Sequence, residues 1–521
     1  MKGAGRIEKS LLNVFTGLFG QLFSFVLSFC IQTVFIKVLG EVYLGLNGLY
    51  TNILSVLNLT ELGLGTAIVL ELYKTLQNNV QEKTKQYLNL YRKAYLVIGL
   101  IILFCGLSLI PFLQYFVNDT ASLELINYRL IFVLYLFNTI FSYFFFAYRE
   151  SILSADQKEY KARVITYSFK FVEMILQIVS LIAFKNIYLY LIIPILIRCI
   201  STIYIGVKVG QWYPFIKEKA EGQLSKKELQ TTIKNIGSVA IYKVSGVVIN
   251  STDNILLSSF VSIIITGLYS NYLVITSAVS TILSKVFSAF TASLGNLNVA
   301  AGDDYEKKYE IFNVLSFLNF WGYGFCSVCL YVLFSPFISV WIGESFIMYK
   351  CTVFMIVVNF LIIGLQETVG THRAAYGLFY KARFRPIFSI LINLISSLIF
   401  VNVFPKEYGV VAVLLGTIIS NVFVSWWYDG YLVCKYAFNR SPITYYVNFW
   451  KRLIFVLIVC FFIKNVCSCI HVDGWCAIIL YLLICVVGFH SIFILCFIKS
   501  KEFLYVKDIF FRLLKKYILK R

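Results

Sequence analysis

Six ionisable residues fall inside stretches of sequence where water should be scarce. Arg198 lies about ten residues from either end of the run YLYLIIPILIRCISTIYIGVK (188–208), which puts its Cα roughly 15 Å from each end of a helix. Lys243 stands about eight residues into a later run with Asp253 ten residues beyond, Lys285 sits toward the end of the next, and Glu61 and Glu173 interrupt two earlier ones. A charge in the middle of hydrocarbon costs several kcal/mol by most estimates, so each is expected to face a partner or a cavity. Arg198, Lys243 and Lys285 are read as a cationic cavity, whose low dielectric favours an anionic passenger such as a diphosphate or carboxylate. Glu61, Asp253 and Glu173 are the carboxylates suited to gating or ion coupling. Glu173 also lies one helical turn from Lys170, the spacing of a local ion pair.

The elements that must position these groups are long and apolar. With 59% hydrophobic and 14% charged residues and only 7 prolines in 521, the chain departs from soluble globules, whose charged fraction is nearer a quarter. Runs such as YLVIGLIILFCGLSLIPFLQYFV (95–117) and LIFVLIVCFFIKNVCSCI (453–470) are long enough to cross roughly 30 Å of hydrocarbon. Spans are placed near 11–36, 43–72, 94–117, 126–148, 164–184, 187–208, 235–260, 265–293, 311–334, 346–370, 387–404, 409–433, 453–471 and 475–498, about fourteen in all. They are apolar all round and lack the period-two alternation of barrel strands, so the expected class is an all-α polytopic membrane protein. No cleavable signal peptide is evident, because the first run is too long and lacks a small-residue cleavage site.

Lysine and arginine set the orientation. With residue 1 cytoplasmic, the inner segments hold 36 of the 46, the outer loops four and the spans or their edges six, which places both termini on the cytoplasmic side. The net charge of +20 is then largely topological, and no nucleic-acid partner is expected. The thirteen cysteines lie mostly in spans, where the residue behaves as a small hydrophobe. CSCIHVDGWC (467–476) lacks a fourth ligand at zinc spacing, so no metal or cofactor is expected, while coupling to a Na⁺ or H⁺ gradient is left open.

GLYTN (48–52) returns as GLYSN (267–271), 219 positions later, and QEKTKQYLNLY (81–91) is echoed by YEKKYEIFN (305–313), with Glu-Lys steps 224 apart. Six spans per unit fit this repeat: an amino-terminal lobe over 1–209, a connector over 210–234 and a second lobe over 235–434. Two further spans (435–498) and a basic tail (499–521) follow. An even number of spans gives a parallel repeat, a transporter pattern that suggests alternating access around a cavity. The second span of each lobe carries many Asn, Ser, Thr and Gly, costly against lipid unless they face helices or water. At the 224 offset Glu61 falls on Lys285, which suggests an opposed pair across the lobes.

FIKVLGEVYLGLNGLYTNILSVLNLTELGLGTAI (35–68), LSADQKEYKARV (153–164), TDNILLSSFVSIIITGLYSNY (252–272), FTASLGNLNVAAGDDYEKKYEIF (290–312) and YGLFYKARFRPIFSILINLISSLIF (376–400) together resemble the polysaccharide transporter (Wzx-like) flippase family of the multidrug/oligosaccharidyl-lipid/polysaccharide superfamily. The likeness covers most of the first 430 residues. It implies two six-helix lobes in a V with two extra helices, and translocation of undecaprenyl-diphosphate-linked oligosaccharide to the outer leaflet for capsule, O-antigen or related polysaccharide synthesis. The expected partners are that polyprenyl-linked passenger, membrane lipids and the polymerase machinery. It also implies that Lys243 and Lys285 meet the diphosphate. The first span has no Lys or Arg between Lys9 and Lys37, where the peptidoglycan-precursor flippase branch carries arginines, which argues against lipid II as the passenger.

The tail KEFLYVKDIFFRLLKKYILKR (501–521) aligns Phe503, Val506, Phe510, Leu513 and Tyr517 on one face, reading as a basic amphipathic helix on an anionic leaflet. Two other functions compete. A cation-coupled drug exporter of the same superfamily would want carboxylates in the first lobe. A membrane polymerase or ligase would want a sizeable outer loop, and NDTASLE (118–124) and PKEYG (405–409) are too short. The short outer loops make an enzyme unexpected, and with no phosphate-binding nucleotide loop the chain is not expected to use ATP directly.

Overall fold

A computed structural model describes residues 2–58, 64–117, 126–226, 228–230, 232–233, 247–249, 251–288, 290–300, 304–378, 381–470 and 472–518. No strand occurs among them. Eleven helices are long and apolar enough to cross a membrane, and two shorter apolar ones, Tyr128–Phe141 and Val247–Val261, accompany them. A helix satisfies its own backbone, which an apolar chain in hydrocarbon requires. The chain is an all-α polytopic membrane protein.

Two compact units divide it, Met1–Gly267 and Leu268–Arg521. The first holds α1 (Lys2–Leu39), α2 (Glu41–Leu57), α3 (Leu64–Gln77), α4 (Gln81–Leu109), α5 (Tyr128–Phe144), α6 (Ala147–Ala155), α7 (Glu159–Phe184), α8 (Ile187–Trp212), α9 (Val247–Val261) and the opening of α10 (Ile263–Ser288). α7 packs on α1 and α8, α5 on α4 and α8, and α3 on α4 and α6. Between α7 and α8 the chain reverses in two residues: Lys185 takes a left-handed conformation, and Asn186 Oδ1 accepts the Tyr188 and Leu189 N–H groups at 2.8 and 3.3 Å.

The second unit continues α10 and adds α11 (Phe290–Ala300), α12 (Tyr305–Ile342), α13 (Lys350–Leu365), α14 (Glu367–Ala375), α15 (Arg385–Val403), α16 (Gly409–Ser420), α17 (Trp427–Phe438), α18 (Ile443–Ser468), α19 (Gly474–Phe497) and α20 (Lys501–Ile518). Seven consecutive helices, α10 to α16, each begin 220 to 226 positions after their counterparts α2 to α8. The repeat therefore extends well beyond the two quoted phrases, down to the nine-residue α6 and α14.

The expected span 43–72 is not one helix. α2 ends at Leu57 with Asn58 as its C-cap, and α3 covers Leu64–Gln77; 59–63 lie outside the described residues. The span at 346–370 is likewise two helices, α13 and α14, meeting at Gln366.

The most informative tie in the repeat is a buried tyrosine. Tyr50 on α2 donates from its hydroxyl to the Tyr128 carbonyl at the start of α5, at 2.9 Å. Tyr272 on α10 accepts from the Met348 N–H, just before α13, at 3.0 Å. Both side chains are fully buried. The counterpart of Tyr50 is thus Tyr272, not the Tyr269 that aligning the five-letter phrases would select.

The last two spans are fastened to α12 by aromatic packing and two cations. Phe493, fully buried, packs on Phe317, Phe320 and Trp321 with centroids 5.3, 5.2 and 4.9 Å away. Arg452 Nη1 donates to the Ser316 carbonyl and Lys464 Nζ to the Val332 carbonyl, each at 3.1 Å, so two α18 cations grip α12 at points 16 residues apart. α20 begins against the same helix, with Phe503 stacked on Trp321.

The connector after α8 is clipped onto the first turns of α4. Lys83 Nζ reaches Glu228 at 2.5 Å, Lys85 Nζ reaches Glu218 at 3.3 Å, Gln86 Nε2 donates to the Glu221 carbonyl at 2.8 Å, and the Glu221 N–H donates to Glu82. The Lys83 hydrogen bond, with donors from the Ser225 backbone and hydroxyl, holds the Glu228 carboxyl down at about 2.

Candidate functional site

In a span, a hydroxyl is tolerated when it returns its hydrogen bond to its own helix, and an exposed polar stripe then marks a face that meets something other than lipid tails. Each unit carries one, on α2 in the first and on α10 in the second. On α10, Ser277, Thr281, Ser284, Lys285 and Ser288 recur at helical spacing and are exposed or half-buried, while Tyr272 and Thr276 on the other side are buried. Thr281 Oγ1 donates to the Ser277 carbonyl at 2.7 Å and Ser288 Oγ to the Lys285 carbonyl at 3.1 Å. On α2, Asn47, Thr51, Ser55 and Asn58 follow the same spacing and are likewise exposed or half-buried; Ser55 Oγ donates to the Thr51 carbonyl at 2.7 Å.

Tyrosines support the α2 stripe from behind. Tyr135 on α5 donates to Asn47 Oδ1 at 2.6 Å, and Tyr143 reaches Asn58 Oδ1 at 3.4 Å. The Tyr91 and Tyr95 hydroxyls lie 3.0 Å apart on α4, and Tyr95 packs on Tyr143 with centroids 5.2 Å apart. In the second unit α10 packs on α12 beside this stripe, where a Cβ on Gly322 would lie 3.6 Å from Leu283 Cδ2.

Of the six charges singled out in the sequence, Lys243 and Glu61 lie outside the described residues. Lys285 stands exposed on the α10 stripe. Arg198 is also exposed, and its Nη1 donates to the Asn138 carbonyl of α5 at 2.8 Å, so this cation braces a helix pair. Glu173 is buried on α7 and paired with Lys170 at 2.5 Å; Asp253 is buried on α9. Arg198 thus bonds a backbone carbonyl and Glu173 a neighbour on its own helix, so these two charges are held separately.

Sequence reading missed a buried charge cluster. Asp429 on α17 accepts from Arg373 on α14 and pairs with Arg385, at the start of α15, at 3.2 Å. The first unit fastens the corresponding turn differently: Asp156, between α6 and α7, accepts from the Tyr213 hydroxyl at 2.6 Å and pairs with Lys158 at 2.5 Å. An aspartate in the apolar context WWYDGYLV was the available signal for Asp429; its arginines stand 56 and 44 positions earlier.

All thirteen cysteines are free thiols, and no cluster of three or more metal-ligating side chains occurs among the described residues. His471, in the motif CSCIHVDGWC, lies outside them.

No protein-family model and no curated protein sequence matches the chain. Solved structures do. A multidrug resistance MATE family transporter of the MOP superfamily, in an inward-facing conformation, is similar with a TM-score of 0.61 at 13% identity, over 80% of this chain and 95% of that one. The lipid II flippase MurJ, in an inward closed conformation, gives 0.61 at 16% identity over 95% of this chain and 100% of its own. A mutant of the Vibrio cholerae MATE transporter VcmN gives 0.53 at 13% identity over 83% and 99%. The part of this chain outside the MurJ likeness is too short to contain both α18 and α19, so that likeness takes in at least part of this last pair of helices. The chain has the fold of MOP superfamily transporters.

Proposed function

We propose that this protein is a flippase that carries a polyprenyl-diphosphate-linked oligosaccharide across the bacterial plasma membrane by alternating access, for the synthesis of a cell-surface polysaccharide. The observation that carries the reading is the exposed stripe of hydroxyls ending in Lys285 on α10, with its uncharged counterpart on α2. Hydroxyls suit sugars, and an ammonium beside them suits a diphosphate, while a prenyl tail needs only lipid. The MurJ likeness extends over 95% of this chain against 80% for the MATE transporter, which supports a lipid-flipping architecture over an exporter. Pairing of Glu173 with Lys170 removes one carboxylate that a drug–cation exporter would use. Lys243 and Lys285 are the proposed passenger-binding cations, with Arg198 as a brace between α5 and α8, Glu61 and Asp253 as candidate gating or coupling groups, and the connector and both termini on the cytoplasmic side.

The test is reconstitution in liposomes with a fluorescent polyprenyl-diphosphate oligosaccharide, scored by its access to an added glycosidase. Protein-dependent transfer supports the proposal. Transfer no faster than in empty liposomes, alongside transport of a cationic dye, contradicts it and favours the exporter.

A further inference from the structure

On the side of the first unit where α4 begins, a cleft of about 320 Å³ opens between α4, α6 and the connector. Its lining carries five cations, Lys85, Arg92, Arg149, Lys217 and Lys219, against one carboxylate, Glu218. Lys85 is already compensated, by Glu82 at 2.8 Å and Glu218 at 3.3 Å. The other four have no carboxylate partner among the described residues. Like charges gathered in this way repel one another, and an arriving anion relieves that cost.

The cleft is built rather than accidental. Arg149 is half-buried, its guanidinium stacked 4.2 Å over Phe146 and donating to the Gly206 carbonyl at 3.1 Å. That approach depends on two glycines one turn apart on α8. A Cβ on Gly206 would lie 2.2 Å from the Phe146 Cβ, and one on Gly210 would lie 3.1 Å from Lys217 Cε and 3.5 Å from Arg149 Nη1. The opposite wall is the connector, held to α4 by the ties described above, which brings Lys217 and Lys219 over Arg92.

A planar guanidinium fork with flexible ammonium groups is the donor set for phosphate oxygens. The volume is at the low end of small-molecule sites, about 300–1,000 Å³, enough for a head group but small for an oligosaccharide. We infer that this cleft is a phosphate-binding site, taking a phosphate or diphosphate group from a lipid head group or from a soluble donor. The inference does not depend on what the transporter carries. If the connector side is cytoplasmic, the cleft faces the leaflet and compartment where both sources are available.

The test uses the full-length chain in zwitterionic phosphatidylcholine nanodiscs, titrated with inorganic diphosphate by calorimetry. Saturable binding, weakened about tenfold or more by Arg92→Gln combined with Lys219→Gln and unchanged by Lys435→Gln on α17, is the expected result. Both cleft side chains are exposed and outside the connector ties, and an unchanged melting temperature without ligand checks the variant's fold; Lys217→Gln alone serves should the pair fail it. Absence of binding, or equal affinity in wild type and variant, overturns the proposal. Repeating the titration in nanodiscs containing phosphatidic acid assigns the source: an affinity for diphosphate about tenfold weaker identifies a lipid phosphate as the occupant, and an unchanged affinity identifies a soluble one, each supporting the site.

Discussion

Asp429 is the residue with the most to lose. It is 6% exposed and pairs with two half-buried arginines from different helices, so Asp429→Ala removes the carboxylate that both share. Breaking such a pair by removing one partner costs about 3–5 kcal/mol. A fall of several degrees in the detergent melting temperature is expected, with partial recovery in Asp429→Glu. Arg198→Ala should cost less, about 1–2 kcal/mol, because one hydrogen bond to the Asn138 carbonyl is lost and the guanidinium is exposed. Its loss should lower stability more than transport. Lys285→Ala should do the reverse, weakening passenger binding about tenfold at unchanged melting temperature, with Lys285→Arg retaining most activity. At this scale the sequence made the intramembrane charges visible, because each broke an apolar run. Their partners were not visible, since a carbonyl such as that of Asn138 has no side-chain signature and Asp429 meets its arginines only through the packing of α14, α15 and α17.

Among the elements, α2 and the opening of α10 come together in the first unit through glycines. A Cβ on Gly45 would stand 2.1 Å from the Ile263 carbonyl oxygen, and one on Gly267 would stand 2.8 Å from that of Glu41. Gly45→Val is therefore expected to destabilise by a few kcal/mol, roughly the cost of overpacking a tight interface, and to reduce folded protein in a fluorescence size-exclusion trace. Phe493→Ala should loosen α19 from α12 at a cost on the order of 2–4 kcal/mol, measured by thermal unfolding. The connector's clip should be acid-labile. Glu228 has its carboxyl depressed, so the tie it contributes is complete above about 4.5, the ordinary glutamate value, and is lost as pH falls through about 2. Pepsin cleavage within 214–233, normalised to an unfolded substrate, should accelerate over that window, and Glu228→Gln should be cleaved quickly throughout. Helix positions were legible from apolar runs alone. The breaks at Asn58 and Gln366 were not, because Leu, Val and Ile continue on both sides and only local caps end the helix.

For the whole molecule, the repeat is the strongest link between sequence and fold. Two short phrases at offsets of 219 and 224 led to a duplicated series of seven helices, whose starts keep the offset within 220 to 226. The slip between phrases arises because Tyr272, rather than Tyr269, takes the place of Tyr50. The compact units divide at Gly267, so α9 groups with the first unit although its sequence opens the second series. The central claim is that this duplicated fold flips a lipid-linked oligosaccharide. Its most direct test is depletion of the protein in its host, with lipid-linked oligosaccharide measured separately on each leaflet. The account predicts accumulation on the cytoplasmic leaflet, relieved by wild type and not by Lys285→Ala at matched expression. Full-length lipid-linked repeats appearing on the outer leaflet in the depleted cells would contradict it.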